Sequence, residues 1–444
     1  MLRRLLRLAL ALVTIVGVAH ANGRSPITNS VKFKPSDPTS LYIGSTFGLL
    51  ISHDDGCTFR WVCEMNIGYG GTFDPNYAVA ADGTIFATTF NGLRVSHDDG
   101  CSFTTATAEL PVGDPNRLDI WIDALDLSAT GEVWIGTAQV GRSNAIYVST
   151  NNGGTFTAAT PPSDTIWWKS VKVAPSNTQR VYIAGYEAGD TPVPHFEITS
   201  DGGTTFTPSA LATVAFGAAP ILRVMAVDPA NADIVYVRSE AANPPMGDRL
   251  YRSSDGGVTF AEVLATTDTI RDTVILPSGQ VLVATQLGGL FRSTDGLAFT
   301  AVSPAPQLSC LGQHPDGSLI GCGPNWDPDF MAVGRSGDGG GTWQKVWRFV
   351  ELAGPIACPV GTAEHDTCDQ QQWTALQAQF GATGPTCGNE IQSDPAVPPV
   401  ETQPGGCCDT GGGNVPATMV SVLGLALWLG RRRRSTRRPS CSSN

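Results

Sequence analysis

The chain has 444 residues, with 40 acidic against 28 basic side chains and a net charge of −12 at pH 7. Its 50 glycines and 31 prolines are too many for a mainly helical protein, and 41% hydrophobic residues are too many for a disordered one. Because nine of the basic residues are arginines clustered near the two ends, the body is more acidic still, which excludes a general nucleic-acid binder. These values favour a β-rich, exported protein.

Residues 1–21 have the pattern of a secretory signal peptide. Arginines at positions 3, 4 and 7 precede an apolar run over residues 8–18, and Ala19-His20-Ala21 supplies a small-x-small cleavage site. The alternative is an uncleaved anchor. Export makes disulfide bonds permissible, and none of the eleven cysteines has the paired CxxC spacing of a zinc ribbon.

A short turn sequence recurs seven times at intervals of 40 to 54 residues. In the pattern S-x-D-x-G-x-T-[FW], Ser and Asp hydrogen-bond within the turn, Gly supplies a positive φ, and the aromatic residue returns to the core. The copies are SHDDGCTF at Ser52, SHDDGCSF at Ser96, STNNGGTF at Ser149, TSDGGTTF at Thr199, SSDGGVTF at Ser253, STDGLAF at Ser293 and SGDGGGTW at Ser336. The residues with this structural role are Ser52, Asp54, Ser96, Asp98, Asn151, Asp201, Asp255, Asp295 and Asp338.

Each turn follows a pair of strand-like segments separated by a Pro, Asn or Gly turn, as in SVKVAPSNTQRVYIAGY. A third strand leads into the repeated turn and a fourth follows it. Four antiparallel strands in about 45 residues make one propeller blade, which buries its faces only against neighbours. The sequence therefore predicts an all-β, seven-bladed propeller over residues 26–350.

At these turns the chain resembles the Asp-box, or BNR-repeat, propellers of sialidases, sortilin-type receptors, xyloglucan hydrolases and a photosystem assembly factor. The resemblance implies the fold but not the function, since in that superfamily the boxes lie away from the ligand face. Two copies depart from the pattern: Asn151 replaces Asp in the third, and the sixth is one residue short. We expect looser turns there, with the blades retained.

Residues 351–391 are expected to form a small cysteine-containing appendage. A short helix is predicted from Thr367, as its N-cap, to Phe380, with Gly381 ending it. The pairing of six cysteines stays open: Cys57, Cys63, Cys101, Cys358, Cys368 and Cys387. Cys310 and Cys322 lie equally far from the centre of one hairpin turn, so a regular register predicts a disulfide between them.

The C-terminal end combines a Pro-rich spacer over residues 392–406 with a composite tail over residues 407–438. The tail holds Cys407 and Cys408, an apolar segment over residues 415–430 and an arginine cluster. It resembles the myxobacterial C-terminal sorting tail, which implies an apolar helix in the membrane before processing, export machinery, a sorting protease and display at the cell surface or outer membrane. The alternative is a permanent membrane anchor.

No catalytic signature is present in the sequence. The FRIP-type arginine motif of sialidases is absent near the first blade, and HExxH, GxSxG and P-loop patterns are absent too. His53 and His97 fall inside repeated turns and are interpreted as exposed turn residues. Asp123, Asp272 and Asp327 are single candidates for hydrolytic carboxylates, which spacing alone does not pair. We therefore predict no catalytic residue, no metal and no cofactor.

Alignment of the first strands on their turns predicts a ligand site at the mouth of the axial channel. Asp123, Lys169, Arg223 and Arg271 share one register, and Trp121 and Trp167 lie two residues earlier in neighbouring blades. Such a ring would hold an anionic group, and the tryptophans would stack on a sugar ring. The alternative is that Asp123 pairs with Lys169 and the arginines bind loop carbonyls.

Two functions remain after these arguments. The sequence favours a surface-displayed recognition or scaffold module for an anionic glycan or a protein partner. The alternative is a secreted glycan hydrolase that uses loop carboxylates on the propeller face. An acid and base about 5 to 10 Å apart in the structure would favour the hydrolase.

Overall fold

Strand pairing in the computed structural model repeats one pattern seven times along the chain. The structure describes residues 25–106, 118–190, 192–209, 221–240, 247–326 and 329–387. Within these ranges, 28 strands form seven four-stranded antiparallel sheets, each built from four consecutive strands. The predicted all-β propeller of seven four-stranded blades is confirmed. The predicted signal peptide, Asp327, the spacer and the tail with Cys407 and Cys408 lie outside the described residues.

The first four blades occupy the N-terminal half of the described chain. Their strands are, for blade 1, β1 (Thr28–Lys34), β2 (Asp37–Ser45), β3 (Gly48–Ser52) and β4 (Arg60–Val62); for blade 2, β5 (Tyr77–Val79), β6 (Ile85–Thr89), β7 (Gly92–Ser96) and β8 (Thr104–Thr105); for blade 3, β9 (Ile122–Leu127), β10 (Val133–Thr137), β11 (Ile146–Ser149) and β12 (Thr157–Ala158); and for blade 4, β13 (Ile166–Ala174), β14 (Asn177–Glu187), β15 (Val193–Thr199) and β16 (Thr207–Pro208).

The last three blades follow with the same strand order. Their strands are, for blade 5, β17 (Ile221–Val227), β18 (Val235–Glu240), β19 (Arg249–Ser253) and β20 (Ala261–Ala265); for blade 6, β21 (Ile270–Ile275), β22 (Val281–Thr285), β23 (Gly289–Ser293) and β24 (Thr300–Val302); and for blade 7, β25 (Cys310–Gln313), β26 (Leu319–Cys322), β27 (Val333–Ser336) and β28 (Gln344–Trp347).

The first strands of neighbouring blades contact one another around the ring, including β25 of blade 7 with β1 of blade 1. The first strands therefore line the axis. The apolar core lies between blades: Tyr182 and Phe196 of blade 4 pack in one cluster with Leu222 and Val237 of blade 5. Since each blade buries its faces only against its neighbours, the ring is the folding unit.

The repeated turns share one hydrogen-bond pattern. In the first, the Ser52 hydroxyl donates to Asp54 Oδ1 at 2.7 Å, Gly56 N donates to Ser52 Oγ at 3.0 Å, and Thr58 N donates to Asp54 Oδ1 at 2.8 Å. Equivalent Ser-to-Asp or Thr-to-Asp bonds, 2.6 to 2.8 Å long, hold Asp98, Asp201, Asp255, Asp295 and Asp338. The Asp therefore closes each turn by accepting hydrogen bonds from a residue before it and from a residue after it in the chain.

Each turn also packs against the preceding blade through one glycine. Gly153 has φ +81°, and a Cβ there would lie 2.7 Å from Phe86 of blade 2. Gly203 has φ +90°, and a Cβ there would lie 2.6 Å from Trp134 of blade 3. Glycine is required at this position both for its backbone conformation and for the close approach between blades.

The expectation of a looser third turn is wrong. Asn151 Oδ1 accepts from Ser149 Oγ and from Thr155 N, each at 2.8 Å, as the carboxylate does in the other turns. An amide oxygen replaces a carboxylate oxygen in these two bonds, and Asn151 Nδ2 donates to Thr155 Oγ1 at 3.0 Å, where in other turns a carboxylate oxygen accepts from the equivalent hydroxyl. In the shorter sixth turn, Asp295 Oδ1 accepts from Leu297 N at 2.8 Å and Ala298 N at 3.0 Å, so that turn is also closed.

The appendage begins after blade 7 with a 3₁₀ turn, Phe349–Glu351. A π-helical segment, Glu364–Gln372, continues into helix α2, Trp373–Phe380, which Gly381 ends at φ 59°. A further short helix, α1 (Glu64–Ile67), joins blades 1 and 2. The predicted end at Gly381 matches the structure, but the helical segment begins at Glu364 and Thr367 lies inside it rather than at its N-cap.

Three disulfides tie the appendage to the first two blades. They join Cys57 to Cys387, Cys63 to Cys368, and Cys101 to Cys358. The segment before them runs along β4 of blade 1, where Trp61 N donates to Gly354 O at 2.8 Å. The chain leaving blade 7 therefore fastens onto blades 1 and 2 and closes the ring. A fourth disulfide joins Cys310 to Cys322, which face each other in the β25–β26 ladder.

The structure also bears on membrane insertion. Across the described ranges, none of the helices combines the length and the apolar character that crossing a membrane requires.

Candidate ligand site on the entry face

One face of the propeller carries the beginnings of the first strands and the connections between second and third strands, and we call it the entry face. A β-bulge interrupts several first strands there. It leaves Asp123 unpaired in β9, Lys169 unpaired in β13 and Arg271 unpaired in β21. A bulge places an extra residue in one strand and redirects its side chain. The bulges therefore aim charged side chains toward the channel mouth.

The structure brings Asp123, Lys169 and Arg223 together. Lys169 Nζ donates to Asp123 Oδ2, and both side chains are more than 90% buried. The Arg223 guanidinium lies 3.7 Å from Asp123 Oδ1 and donates to the Lys169 carbonyl at 2.8 Å. The Asp123–Lys169 pair is the one that the alternative contained, but Arg223 bonds to a carbonyl within strand β13 rather than to a loop carbonyl.

A second acid neutralises the arginines of blade 5. Arg223 Nε lies 2.7 Å from Glu240 Oε1, Arg238 also pairs with Glu240, and Arg238 Nε lies 3.6 Å from Asp248. Burial raises the pKa of Glu240, but Arg238 and Arg223 outweigh it and lower that pKa to about 2. The charges contributed by blades 3 to 5 thus compensate one another, and the guanidinium of Arg271, in blade 6, donates to the side-chain oxygen of Gln286.

Beside this ionic network runs a row of aromatic side chains. The ring centroids of Phe73 and Phe90 are 4.5 Å apart, and those of Phe90 and Trp121 are 5.1 Å apart. Trp121 lies 6.1 Å from Trp167, which lies 5.7 Å from Tyr186. We call these five residues the aromatic row. It crosses blades 2, 3 and 4, and Lys169 Nζ lies 4.8 Å from the Trp121 ring centroid.

The same face exposes large apolar side chains at the connections between second and third strands. Phe90 in blade 2 is 46% exposed, and Trp326 in blade 7 is 42% exposed. Val140, Val193 and Leu287 are exposed at the corresponding connections of blades 3, 4 and 6. Val258 and Leu297, in repeated turns of the opposite face, are exposed as well, so the contiguous aromatic row is what distinguishes the entry face. This face is therefore the better candidate for ligand binding.

Three described carboxylates near the axis, those of Glu240, Asp123 and Asp272, are engaged in ion pairs or hydrogen bonds within the protein. A glycosidase needs one carboxylic acid that keeps its proton near neutral pH. Glu240, with a pKa of about 2, is ionised, and Asp123 is bonded to Lys169. Burial raises the pKa of Asp272, but its carboxylate accepts hydrogen bonds from Leu311 N and Thr273 N.

On the opposite face, a cavity of about 450 Å³ lies between blades 1 and 2 and is lined by both turn histidines. His53 Nε2 lies 2.8 Å from Asp99 of the next blade, and His97 Nδ1 lies 3.1 Å from Thr84 Oγ1. Within the described part of the chain, one group of three metal-ligating residues was found: Cys63, Glu364 and Cys368. Its two sulfur atoms form a disulfide, so it offers no thiolate pair to a metal.

Several residues of the site escaped the sequence alignment. Tyr186 faces Trp167 across the β13–β14 ladder, so correct pairing of that hairpin would have found it. Phe73 and Phe90 lie in connections, where no strand register fixes their position. Glu240 pairs with Ile221 in the β17–β18 ladder, two residues along from Arg223, so correct pairing of that hairpin would have found it too. The sequence alignment therefore identified only site residues in or beside the first strands.

Comparisons with known proteins support the architecture. No protein-family model and no curated protein matches the sequence. The fold is similar to that of an ancestral GH74 enzyme, at a TM-score of 0.55 and 14% identity, covering 74% of this chain and 47% of the other. The GH74 xyloglucanase of Xanthomonas campestris is matched at a TM-score of 0.47 and 16% identity, over 71% of this chain and 60% of that one.

PorZ, a surface component of the type-IX secretion system of Porphyromonas gingivalis, is matched at a TM-score of 0.48 and 20% identity, over 66% of this chain and 44% of PorZ. The chain thus spans about half the length of these structures. At 14% identity the similarity to the ancestral GH74 enzyme shows the propeller fold alone. The four disulfides independently indicate an exported protein.

Proposed function

We propose that the protein is an exported recognition module that binds a carbohydrate chain along the aromatic row of the entry face. The observation that carries this proposal is the continuity of the row, in which five partly exposed rings succeed one another across three blades. Aromatic faces pack against the apolar faces of sugar rings and leave the hydroxyl groups free for hydrogen bonds.

The ionic network beside the row supplies partners for those hydroxyl groups. Asp123 and Glu240 present carboxylate oxygens, and Lys169 and Arg223 present N–H donors, within one connected group. Because these charges are already balanced, we infer that the ligand is a neutral glycan rather than an acidic one. The pairing of Asp123 with Lys169 and of Glu240 with two arginines supports binding rather than hydrolysis.

Surface display belongs to the same proposal. The resemblance of the C-terminal tail to a sorting signal and the N-terminal signal pattern place the propeller outside the inner membrane. Processing of the tail near Cys407 or Cys408 would release the module from its apolar segment. Intact-mass measurement on protein from the native host should then show a chain without the arginine cluster.

A panel of neutral oligosaccharides, tested by glycan array and then by calorimetry, provides the test of binding. Trp167→Ala should weaken binding at least tenfold, because stacking on one ring contributes about 1 kcal/mol in addition to the area that it buries. Trp326→Ala is the matched control: it removes an exposed tryptophan from the same face but outside the row. Equal losses in both variants, or no binding by the wild-type protein, would contradict the proposal.

A further inference from the structure

Two lysine–aspartate pairs connect the first strands of blades 3 and 4. Lys169 of β13 pairs with Asp123 of β9, and three residues further along both strands Lys172 pairs with Asp126. The same two side-chain types join the same two strands in both cases, so differences between the pairs reflect their surroundings. The second pair therefore serves as a reference for the first.

The Lys172–Asp126 pair is bonded as a pair of ions. Lys172 Nζ lies 2.9 Å from Asp126 Oδ1, and Asp126 Oδ2 accepts from Val173 N at 2.9 Å, so both carboxylate oxygens have a donor. Water reaches the pair, since 31% of the lysine side chain and 19% of the aspartate side chain are exposed. The remaining N–H donors of this ammonium group can therefore be hydrated.

The Lys169–Asp123 pair lacks this support. Lys169 Nζ contacts Asp123 Oδ2, and only 9% of the lysine side chain and 7% of the aspartate side chain are exposed. Among the described residues, Asp123 is the one hydrogen-bond acceptor of this amine, and the Trp121 ring centroid lies 4.8 Å from Nζ. One acceptor and one aromatic ring thus serve three N–H donors, which disfavours the charged form of a buried amine.

The balance between burial and ion pairing differs between the two lysines. Burial lowers the pKa of Lys169 and outweighs the opposing effect of Asp123. Burial also acts on Lys172, but Asp126 outweighs it and raises the pKa of that lysine. In the buried pair, transfer of the shared proton from nitrogen to oxygen leaves an amine in contact with a carboxylic acid. These are the two reactants of an amide.

Arg223 is placed to assist a reaction between them. Its guanidinium lies 3.7 Å from Asp123 Oδ1, the oxygen that does not contact Lys169. A cation beside that oxygen stabilises the negative charge that it gains when an amine adds to the carboxyl carbon. Glu240, 2.7 Å from Arg223 Nε, holds the guanidinium in place and shares its charge, which weakens its tendency to keep Asp123 ionised.

We propose that Lys169 and Asp123 form an intramolecular amide bond, which joins blades 3 and 4 covalently. Lys169 Nζ attacks Asp123 Cγ, and the Nζ–Cγ bond forms. The nitrogen then passes one proton to the hydroxyl oxygen, the Cγ–O bond breaks, and one water molecule leaves. The reaction consumes no oxidant, reductant or cofactor, and the contact between the two side chains supplies the proximity that it needs.

The amide bond leaves the entry face able to bind a ligand. An amide keeps a carbonyl oxygen and an N–H group in the place of the ion pair. Loss of one positive and one negative charge leaves the charge balance of the network unchanged. The proposal therefore stands whether or not a glycan binds along the aromatic row.

Tandem mass spectrometry of the reduced, alkylated and trypsin-digested protein tests the proposal. In wild-type protein purified after export, the peptide that contains Asp123 is expected to be joined to the peptide that contains Lys169, with a mass one water molecule below their sum. The unlinked peptides should be nearly absent. Trypsin should also fail to cleave after Lys169, because the amide removes the positive charge that the protease recognises.

Lys169→Met and Asp123→Ala should each abolish the linked peptide. Lys172→Met is the matched control: it makes the same change in the same strand at the pair of ions, and it should retain the link between positions 123 and 169. Wild-type chains unfolded in denaturant before the bond forms should gain the link when they refold under oxidising conditions, so the test does not depend on the stability of the variants. Folded wild-type protein that yields the two peptides unlinked, or a link that persists in Lys169→Met, would overturn the assignment.

Discussion

The junction between blades 7 and 1 differs in construction from the six other junctions of the ring. All seven have a turn glycine packed against the preceding blade, Gly56 against Val346 at the closing junction and Gly203 against Trp134 at a repeated one. The closing junction has in addition an appendage held by three disulfides and by backbone bonds to β4. At each of the six other junctions the chain runs directly from one blade to the next. No such connection joins blade 7 to blade 1.

This difference shows what a repeat cannot supply. Consecutive repeated units are joined by the chain and pack against each other. The last and first units are not joined by the chain, so their contact depends on non-covalent interactions. Thr28, for example, donates from its hydroxyl group to the Gly323 carbonyl across the closing junction at 2.9 Å. The appendage replaces the missing chain connection with covalent bonds.

The largest effect is expected from removal of those bonds. Replacing the six cysteines Cys57, Cys63, Cys101, Cys358, Cys368 and Cys387 by Ala should lower the free energy of unfolding by about 5 kcal/mol or more, because the three bridges close loops of 257 to 330 residues. Denaturant unfolding measures this loss.

The control for this variant is Cys310→Ala/Cys322→Ala, which removes a bridge with a sequence separation of 12 within one hairpin. It should cost about 2 to 3 kcal/mol. If the six-cysteine variant loses no more free energy of unfolding than this control does, the disulfides of the appendage do not stabilise the closed ring.

The second largest effect on stability is expected from Glu364, a fully buried residue at the base of the appendage. Burial raises its pKa to about 7, although Asn66 and the Cys63 N–H group donate hydrogen bonds to it. The folded state therefore binds the proton more tightly than the unfolded state. The contribution of Glu364 to stability is therefore most favourable below about pH 4.5 and is lost as the pH rises to about 7.

Glu364→Gln should remove this dependence. At pH 8 the variant should be more stable than the wild-type protein by about 3 kcal/mol, and near pH 4.5 the two should differ little. Thermal unfolding of both proteins across that range checks the prediction. A pH dependence of wild-type stability that the substitution leaves unchanged would show that Glu364 is ionised in the folded state.

The comparison of junctions also explains which features the sequence could predict. The seven copies of the turn pattern predict seven blades because each letter has a local physical role that the structure retains, even with Asn151 in place of Asp. The pairing of Cys57 with Cys387 could not be predicted in this way, since it depends on the path of a non-repeated segment across two blades.

The candidate site was predictable only in part, for a related reason. Trp121 and Trp167 were found because they share a register in neighbouring blades, and the structure places their rings 6.1 Å apart. The bulges at Asp123 and Lys169 break that register, and Glu240 reaches Arg223 from another strand. Local spacing does not encode how charges from different strands compensate one another.

The smallest loss of stability is expected from a substitution at one of the repeated junctions. Gly203→Ala places a Cβ 2.6 Å from the buried Trp134 ring, at φ +90°. Gly131→Ala is the matched control, because Gly131 has φ +91° but nothing within 4 Å of the added atom. The control should cost about 1 kcal/mol through backbone strain alone, and Gly203→Ala should cost about 1 to 3 kcal/mol more through overpacking between blades. Chemical denaturation of the two variants gives the difference directly. Equal losses in free energy of unfolding would mean that neighbouring blades shift to accommodate the added Cβ. The closing junction would then differ from the repeated junctions through its disulfides alone.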